Sequence, residues 1–162
     1  MRRIRGSRWY SGMSRIAEVI VLAQDADEVM EPLTRRDDTR TWKGTFFEMR
    51  PGGNWGFGWG AEFVRMRGRS GLLKHLESLP WPRPETLQVM IHDEEDDCFG
   101  LWMIHDGKLV EIPLPRTRRA YWSGPHDEDF PPDPGILSRT DSRPIDWPKE
   151  IEGGDQSRPP AW

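Results

Sequence analysis

Hydrophobic and polar positions are most regularly arranged between residues 14 and 115. Residues 15–23 form an apolar, β-branched run interrupted only by Glu18 and Arg15, and predict a buried strand. Asp25 follows, three residues ahead of Glu28 in the spacing of a capping box, and Val29, Met30 and Leu33 then share one helical face. Pro32 limits that helix to a short or kinked piece, because proline lacks an N–H and its ring crowds the preceding turn. Residues 41–49 are aromatic and threonine-rich and predict a second strand, with Pro51, Gly52, Gly53 and Asn54 as the turn beyond it. Between residues 55 and 66 the positions alternate. Trp55, Phe57, Trp59, Ala61 and Phe63 fall on one face of a strand, and Gly56, Gly58, Gly60, Glu62 and Val64 on the other.

Ser70 stands where a helix N-cap belongs, ahead of Leu72, Leu73, Leu76 and Leu79 at helical spacing, and Pro80-Trp81-Pro82 ends that helix. Residues 87–92 predict another strand. Residues 98–104 and 108–114 predict a hairpin closed by Asp106-Gly107, a type I′ turn signal. This turn sets Met103 opposite Val110, Leu101 opposite Ile112, Trp102 opposite Glu111 and Ile104 opposite Leu109. The first two pairs make one wholly aliphatic face, so the register is self-consistent. The order β-α-β-β-α-β plus a hairpin predicts an α+β fold of ferredoxin-like type: a mainly antiparallel sheet, extended by the hairpin, with two short helices on one face. The other face is expected to be open or covered by the tail.

A length of 162 residues fits one domain, and at that size roughly two thirds of the unfolded surface can be buried. The single cysteine, Cys98, forms no internal disulfide and argues against a small secreted scaffold. Three segments are expected: a basic arm over 1–13, with Met13 as an alternative start; the α+β domain over 14–115; and a proline-rich acidic tail over 116–162. The tail is expected to lack regular structure over 120–150 but to pack on the sheet through Trp122, Phe130 and Trp147. A net charge of −4 argues against nucleic acid as the main partner, since phosphate binding needs clustered excess Lys and Arg. No apolar run approaches the roughly 20 residues of a membrane span, and no apolar stretch follows the basic N-terminus as a secretory signal requires. The expected location is cytoplasmic, and the preference for Arg over Lys points to a GC-rich bacterial source.

The residue types that could carry chemistry have plainer readings. His92, Cys98 and His105 lack the close ligand pairs of zinc sites, so no metal is expected, and Cys98 reads as a small apolar residue. Gly52, Gly53, Gly56, Gly58 and Gly60 do not lead into a helix, which a phosphate loop requires. They more simply let a large neighbour lie close to the strand. Trp42, Trp55, Phe57 and Trp59 read as core aromatics rather than a base-stacking platform. No catalytic residue and no cofactor is implied. Asp93, Glu94, Glu95, Asp96 and Asp97 form the most unusual segment. It lacks the alternating ligands of a calcium loop and reads either as a solvated hairpin tip or as an anionic contact surface for a basic partner.

In its size, α+β layout, aromatic-rich sheet and acidic hairpin, the chain resembles small bacterial toxin-immunity proteins over about residues 14–115. That resemblance implies a non-catalytic antitoxin acting by protein binding, its acidic patch covering the basic cleft of a toxin. Asp93, Glu94, Glu95, Asp96 and Asp97, with Trp102 and Glu111 on the adjoining face, would form that patch. The alternative expectation is an accessory or structural subunit of a larger bacterial assembly, docking through its arm or tail. A small enzyme of another type ranks behind both.

Overall fold

In the computed structural model, which describes residues 16–49, 58–64, 66–120 and 135–141, the chain folds around a six-stranded antiparallel sheet. Its strands are β1 (Ala17–Leu22), β2 (Phe47–Glu48), β3 (Gly58–Phe63), β4 (Gln88–Asp93), β5 (Gly100–His105) and β6 (Lys108–Ile112), in the order β2-β3-β1-β4-β5-β6. The first four strands take the ferredoxin-like arrangement, and the β5–β6 hairpin extends the sheet beyond β4. The fold is α+β as the patterning predicts.

Alternation along the strands divides the sheet into two unlike faces. Ala17, Val19, Val21, Trp59, Ala61, Phe63, Val89, Ile91 and Trp102 are buried on the first. Two short helices pack there: α1 (Asp27–Met30), which runs into a 3₁₀ turn over Glu31–Thr34, and α2 (Leu72–Ser78). Met30 and Leu33 from the former, and Leu72, Leu73 and Leu76 from the latter, complete the core. Pro32 sits in the first turn of the 3₁₀ segment, where its missing N–H costs least, and the chain leaves helical geometry at Arg35. Gly71 adopts φ +81 at the N-cap of α2, and a Cβ there would stand 2.5 Å from Thr41 Oγ1. Only glycine meets both conditions.

Several local expectations are corrected. Asp25 has a left-handed φ of 56°, so Ala26 becomes the N-cap of α1 and no capping box forms. Gly71 rather than Ser70 caps α2. The strand expected over 41–49 shrinks to Phe47–Glu48, because Trp42 and Phe46 turn inward and pack edge to face in the core. The Phe46 N–H donates to the Leu33 carbonyl at 2.9 Å instead of joining the sheet. The turn expected at Pro51, Gly52, Gly53 and Asn54, and Trp55, Gly56 and Phe57 after it, lie outside the described residues.

The segment assigned to a tail contributes regular structure. β7 (Thr117–Ala120) and β8 (Ile136–Arg139) pair as a separate two-stranded sheet, with Arg119 opposite Leu137. These strands also lie on the core side. Arg119 spans Trp102 and Glu111, and Leu137 is buried. The arm over 1–13 and the expected anchors Trp122, Phe130 and Trp147 lie outside the described residues.

Candidate functional site

Every described helix, and the β7–β8 pair, packs on one side of the sheet, so the second face carries no described element. Its composition follows from the register. Met90 stands opposite Ile20 on one neighbour and Leu101 on the other, and Leu101 stands opposite Ile112. Beside this row Met103 faces Val110, and Leu22 lies two residues along β1 from Ile20. Ile20, Leu22, Met90, Leu101, Met103 and Ile112 are all partly exposed, and Val110 is exposed. The hairpin register is the one set by Asp106-Gly107, with Met103 on Val110 and Leu101 on Ile112. That wholly aliphatic face is the one turned away from the core.

At the β3 end the same stripe continues in an unusual way. Gly58 and Gly60 leave room that β2 fills from the side. A Cβ on Gly60 would lie 2.8 Å from the Phe47 ring, and one on Gly58 would lie 3.1 Å from the Met49 methyl. The alternating glycines thus admit large neighbours, as their spacing implies, and among the described residues these are Phe47 and Met49 from the adjacent edge. Phe47 remains 60% exposed and closes the stripe at that edge.

An acidic rim borders the stripe at one end. Glu18 and Glu62 are direct cross-strand partners and both are exposed. Glu94 is exposed beside them, its N–H donating to the Ile16 carbonyl at 2.9 Å. His92, opposite Glu18, stacks on Phe99 with ring centroids 5.0 Å apart, and its Nδ1 lies 3.8 Å from a Glu18 carboxylate oxygen. Like charges directly opposite on neighbouring strands repel, so the Glu18–Glu62 pairing is a place where a cation would be stabilised.

The acidic segment behaves differently from expectation. Asp93 is 1% and Asp96 8% exposed. Asp93 forms a buried ion pair with Arg69 at 2.6 Å. Asp96 accepts from the Asp93 N–H through one oxygen (3.0 Å) and from the Leu137 N–H through the other (2.8 Å). Burial pushes its carboxyl pKa up, against the pull of these two donors. Asp97 donates its N–H to the Leu137 carbonyl at 2.8 Å and accepts from the Arg139 N–H at 2.6 Å. Residues 96 and 97 thus act as a surrogate strand edge that holds β8. Glu95 is half-buried, and Glu94 is left to face solvent with Asp97.

Trp102 and Glu111, expected on an outward contact face, lie on the core side. Trp102 is 5% exposed. The Arg119 guanidinium stands 5.4 Å from the Trp102 ring centroid and forks onto Glu111, with Nε 2.8 and 3.0 Å from its two oxygens. Gly100 leaves the space, since a Cβ there would be 2.9 Å from an Arg119 nitrogen. The partner that makes Glu111 compatible with burial thus comes from beyond the domain boundary drawn on the sequence.

His92, Cys98 and His105 are not brought together. His92 lies near the end of β4, beside the start of β5, and His105 closes β5 at its other end, and burial pushes the Cys98 thiol pKa up, away from thiolate character. Among the described residues no group of three or more His, Cys, Asp or Glu side chains is placed to hold a metal ion. No described helix is long and apolar enough to cross a membrane.

One buried polar unit has no counterpart in the sequence reading. Trp42 Nε1 donates to His75 Nδ1 at 2.7 Å, and the Arg40 guanidinium lies 4.0 Å over the Trp42 ring. Nδ1 accepts only while unprotonated. Burial, followed by the nearby Arg40 charge, holds the His75 pKa below its ordinary 6.5, and Asp37 opposes them weakly. With the folded pKa lowered, this group's contribution is complete above about pH 6.5 and is lost as pH falls towards the folded value. The unfolding free energy should therefore decline as pH falls below about 6.5. His75→Asn, whose Oδ1 can replace Nδ1 without titrating, should flatten that decline in urea titrations. An unchanged slope in the variant would assign the pH dependence elsewhere.

Comparison with protein-family models, with curated proteins and with solved structures returns no match to this chain.

Proposed function

We propose that the chain is a non-catalytic protein-binding domain whose partner lies on the open face of the sheet. The partner presents an apolar centre bordered by basic residues. The observation that carries this reading is the apolar stripe formed by Ile20, Met90, Leu101, Met103, Val110 and Ile112, with no described element packed on it. Contiguous exposed apolar surface rimmed by polar groups is characteristic of interaction sites. The methionines suit such a surface, because a thioether side chain adapts its shape at little cost. Glu18, Glu62 and Glu94 set the charge of the rim and therefore of the partner's border. The narrower form of the reading is an immunity protein that neutralises a toxin, with this rim meeting basic groups of the toxin. It moves the contact surface from Asp93, Asp96, Trp102 and Glu111, which are occupied inside the fold, to the opposite side of the sheet.

Affinity purification from the native host, with the wild-type chain and face variants in parallel, supplies the test. A partner retained by wild type should be lost on Met90→Lys/Leu101→Lys, at a cost of at least about 30-fold in affinity for the purified pair. Glu18→Lys/Glu62→Lys should mainly slow association and remove its salt dependence. A partner indifferent to both pairs of substitutions would place the binding surface elsewhere.

A further inference from the structure

We infer that the outer edge of β6 is a pairing surface for a second copy of this chain, held closed by the Glu77 carboxylate. Among the described residues no strand lies beyond β6, which ends the sheet. Asp106 and Gly107, with φ of 50° and 74°, form the turn, and His105 pairs with Lys108 directly across it. Antiparallel alternation then turns the N–H and C=O groups of Lys108, Val110 and Ile112 towards β5, and those of Leu109 and Glu111 away from it. An outward row of this kind is a template for another strand. Here one of its donors is already taken. The Leu109 N–H donates to Glu77 Oε2 at 2.7 Å, from the last turn of α2, and Glu77 Oε1 lies 3.4 Å from Lys108 Nζ.

The residues along this edge admit one self-pairing register. Two copies related by a two-fold axis normal to the sheet pair antiparallel. The axis must pass through a residue, because a centre between two residues sets outward-facing groups against inward-facing ones. Centred on Val110, Leu109 of each copy stands opposite Glu111 of the other, and each such pair exchanges both of its N–H and C=O bonds. Centring on Glu111 would set two carboxylates directly opposite each other and put Leu109 against Pro113, which has no N–H. Centring on Leu109 would run Glu111 against Gly107 of the turn. The Val110 register needs the Leu109 N–H of both copies, the donor that Glu77 occupies. Val110, 36% exposed, would meet its counterpart side by side, so no charge on that central pair opposes the contact. Glu77 is the group that does. An approaching strand has to displace its carboxylate and bring two such charges to the seam. The pairing uses backbone groups in the plane of the sheet and is independent of the assignment of the open face.

Sedimentation equilibrium of the full chain tests this. Glu77→Ala should self-associate at least about tenfold more tightly than wild type. Glu77→Gln keeps an oxygen that accepts the Leu109 N–H and should stay closer to wild type. Val110→Lys added to Glu77→Ala sets like charges directly opposite at the seam and should reverse the gain. The register is read with single cysteines in a Glu77→Ala/Cys98→Ser background. A non-hydrogen-bonded pair brings its Cα atoms to about 4.5 Å, within disulfide reach, so Val110→Cys should cross-link under mild oxidation. Ile112→Cys, two residues from the axis, leaves its counterparts roughly 13 Å apart and should not. Association no tighter in Glu77→Ala than in wild type would overturn the inference, as would equal cross-linking at the two positions. Met90→Lys/Leu101→Lys should leave the Glu77→Ala dimer intact. Its dissociation there would move the contact to the open face and overturn the edge, whereas a chain that stays monomeric throughout leaves the open-face reading untouched.

Discussion

Asp96→Ala is expected to release the β7–β8 hairpin from the sheet and to cost about 2–5 kcal/mol of stability. Both carboxylate oxygens accept backbone N–H groups, from Asp93 and from Leu137, in a position 8% exposed. Removing them leaves two buried donors unpaired, each at about 1–3 kcal/mol. Asp96→Asn is expected to fail as well, though by less. A carboxamide offers one accepting oxygen and sets its NH₂ against the second donor. Loss of the Leu137 bond also loosens the Asp97 contacts that share the same edge of β8. Hydrogen exchange at the amides of Leu137 and Arg139, together with tryptic cleavage at Arg118 and Arg119, reads the detachment directly. A loss under about 0.5 kcal/mol, with proteolysis unchanged, would show that β8 is held by its pairing with β7 alone.

The same two aspartates show what the chain's patterning conveys and what it withholds. Strand alternation and the Asp106-Gly107 turn are local signals, and they suffice to place β3 and β4 to within a few residues and the β5–β6 register residue by residue. The sidedness of that hairpin is a non-local matter. Leu101, Met103, Val110 and Ile112 look like the buried face by composition, yet Trp102 faces the core because Val89, its partner on β4, does so, and Ile104, two residues along the same strand, follows it. Glu111 looks like a surface residue until Arg119 is known to lie over it. A run of five acids likewise reads as solvated, because nothing adjacent reveals that Arg69 and the backbone of β8 are its partners. Buried arginines are the signal common to both cases. Arg69 is paired with Asp93, 24 residues further along the chain, and Arg119 with Glu111 on the preceding strand, so in each case the partner is fixed by the pairing of elements and not by the local pattern.

The largest single effect is expected at Arg69. Its guanidinium and the Asp93 carboxylate are 1% and 2% exposed as side chains and 2.6 Å apart, joining the last residue of the 3₁₀ segment Met66–Arg69 to the end of β4. Arg69→Ala leaves a buried carboxylate without its counter-charge, which in comparable sites costs about 3–5 kcal/mol. The consequences should spread along the chain, because the Asp93 carbonyl anchors the Asp96 N–H and the Asp93 N–H is bound by the Asp96 carboxylate. The variant should therefore lose β7–β8 protection as well as global stability. Exchanging both partners for apolar residues separates the terms. Burying a charge pair costs several kcal/mol of desolvation that its mutual attraction only offsets, so Arg69→Met/Asp93→Leu should recover most of the loss and need not fall below wild type. If the double variant is as unstable as Arg69→Ala, the pair contributes net stabilisation through hydrogen bonds that an apolar replacement cannot restore. Urea unfolding of the three chains, with m-values compared to confirm a common unfolded state, decides between these outcomes.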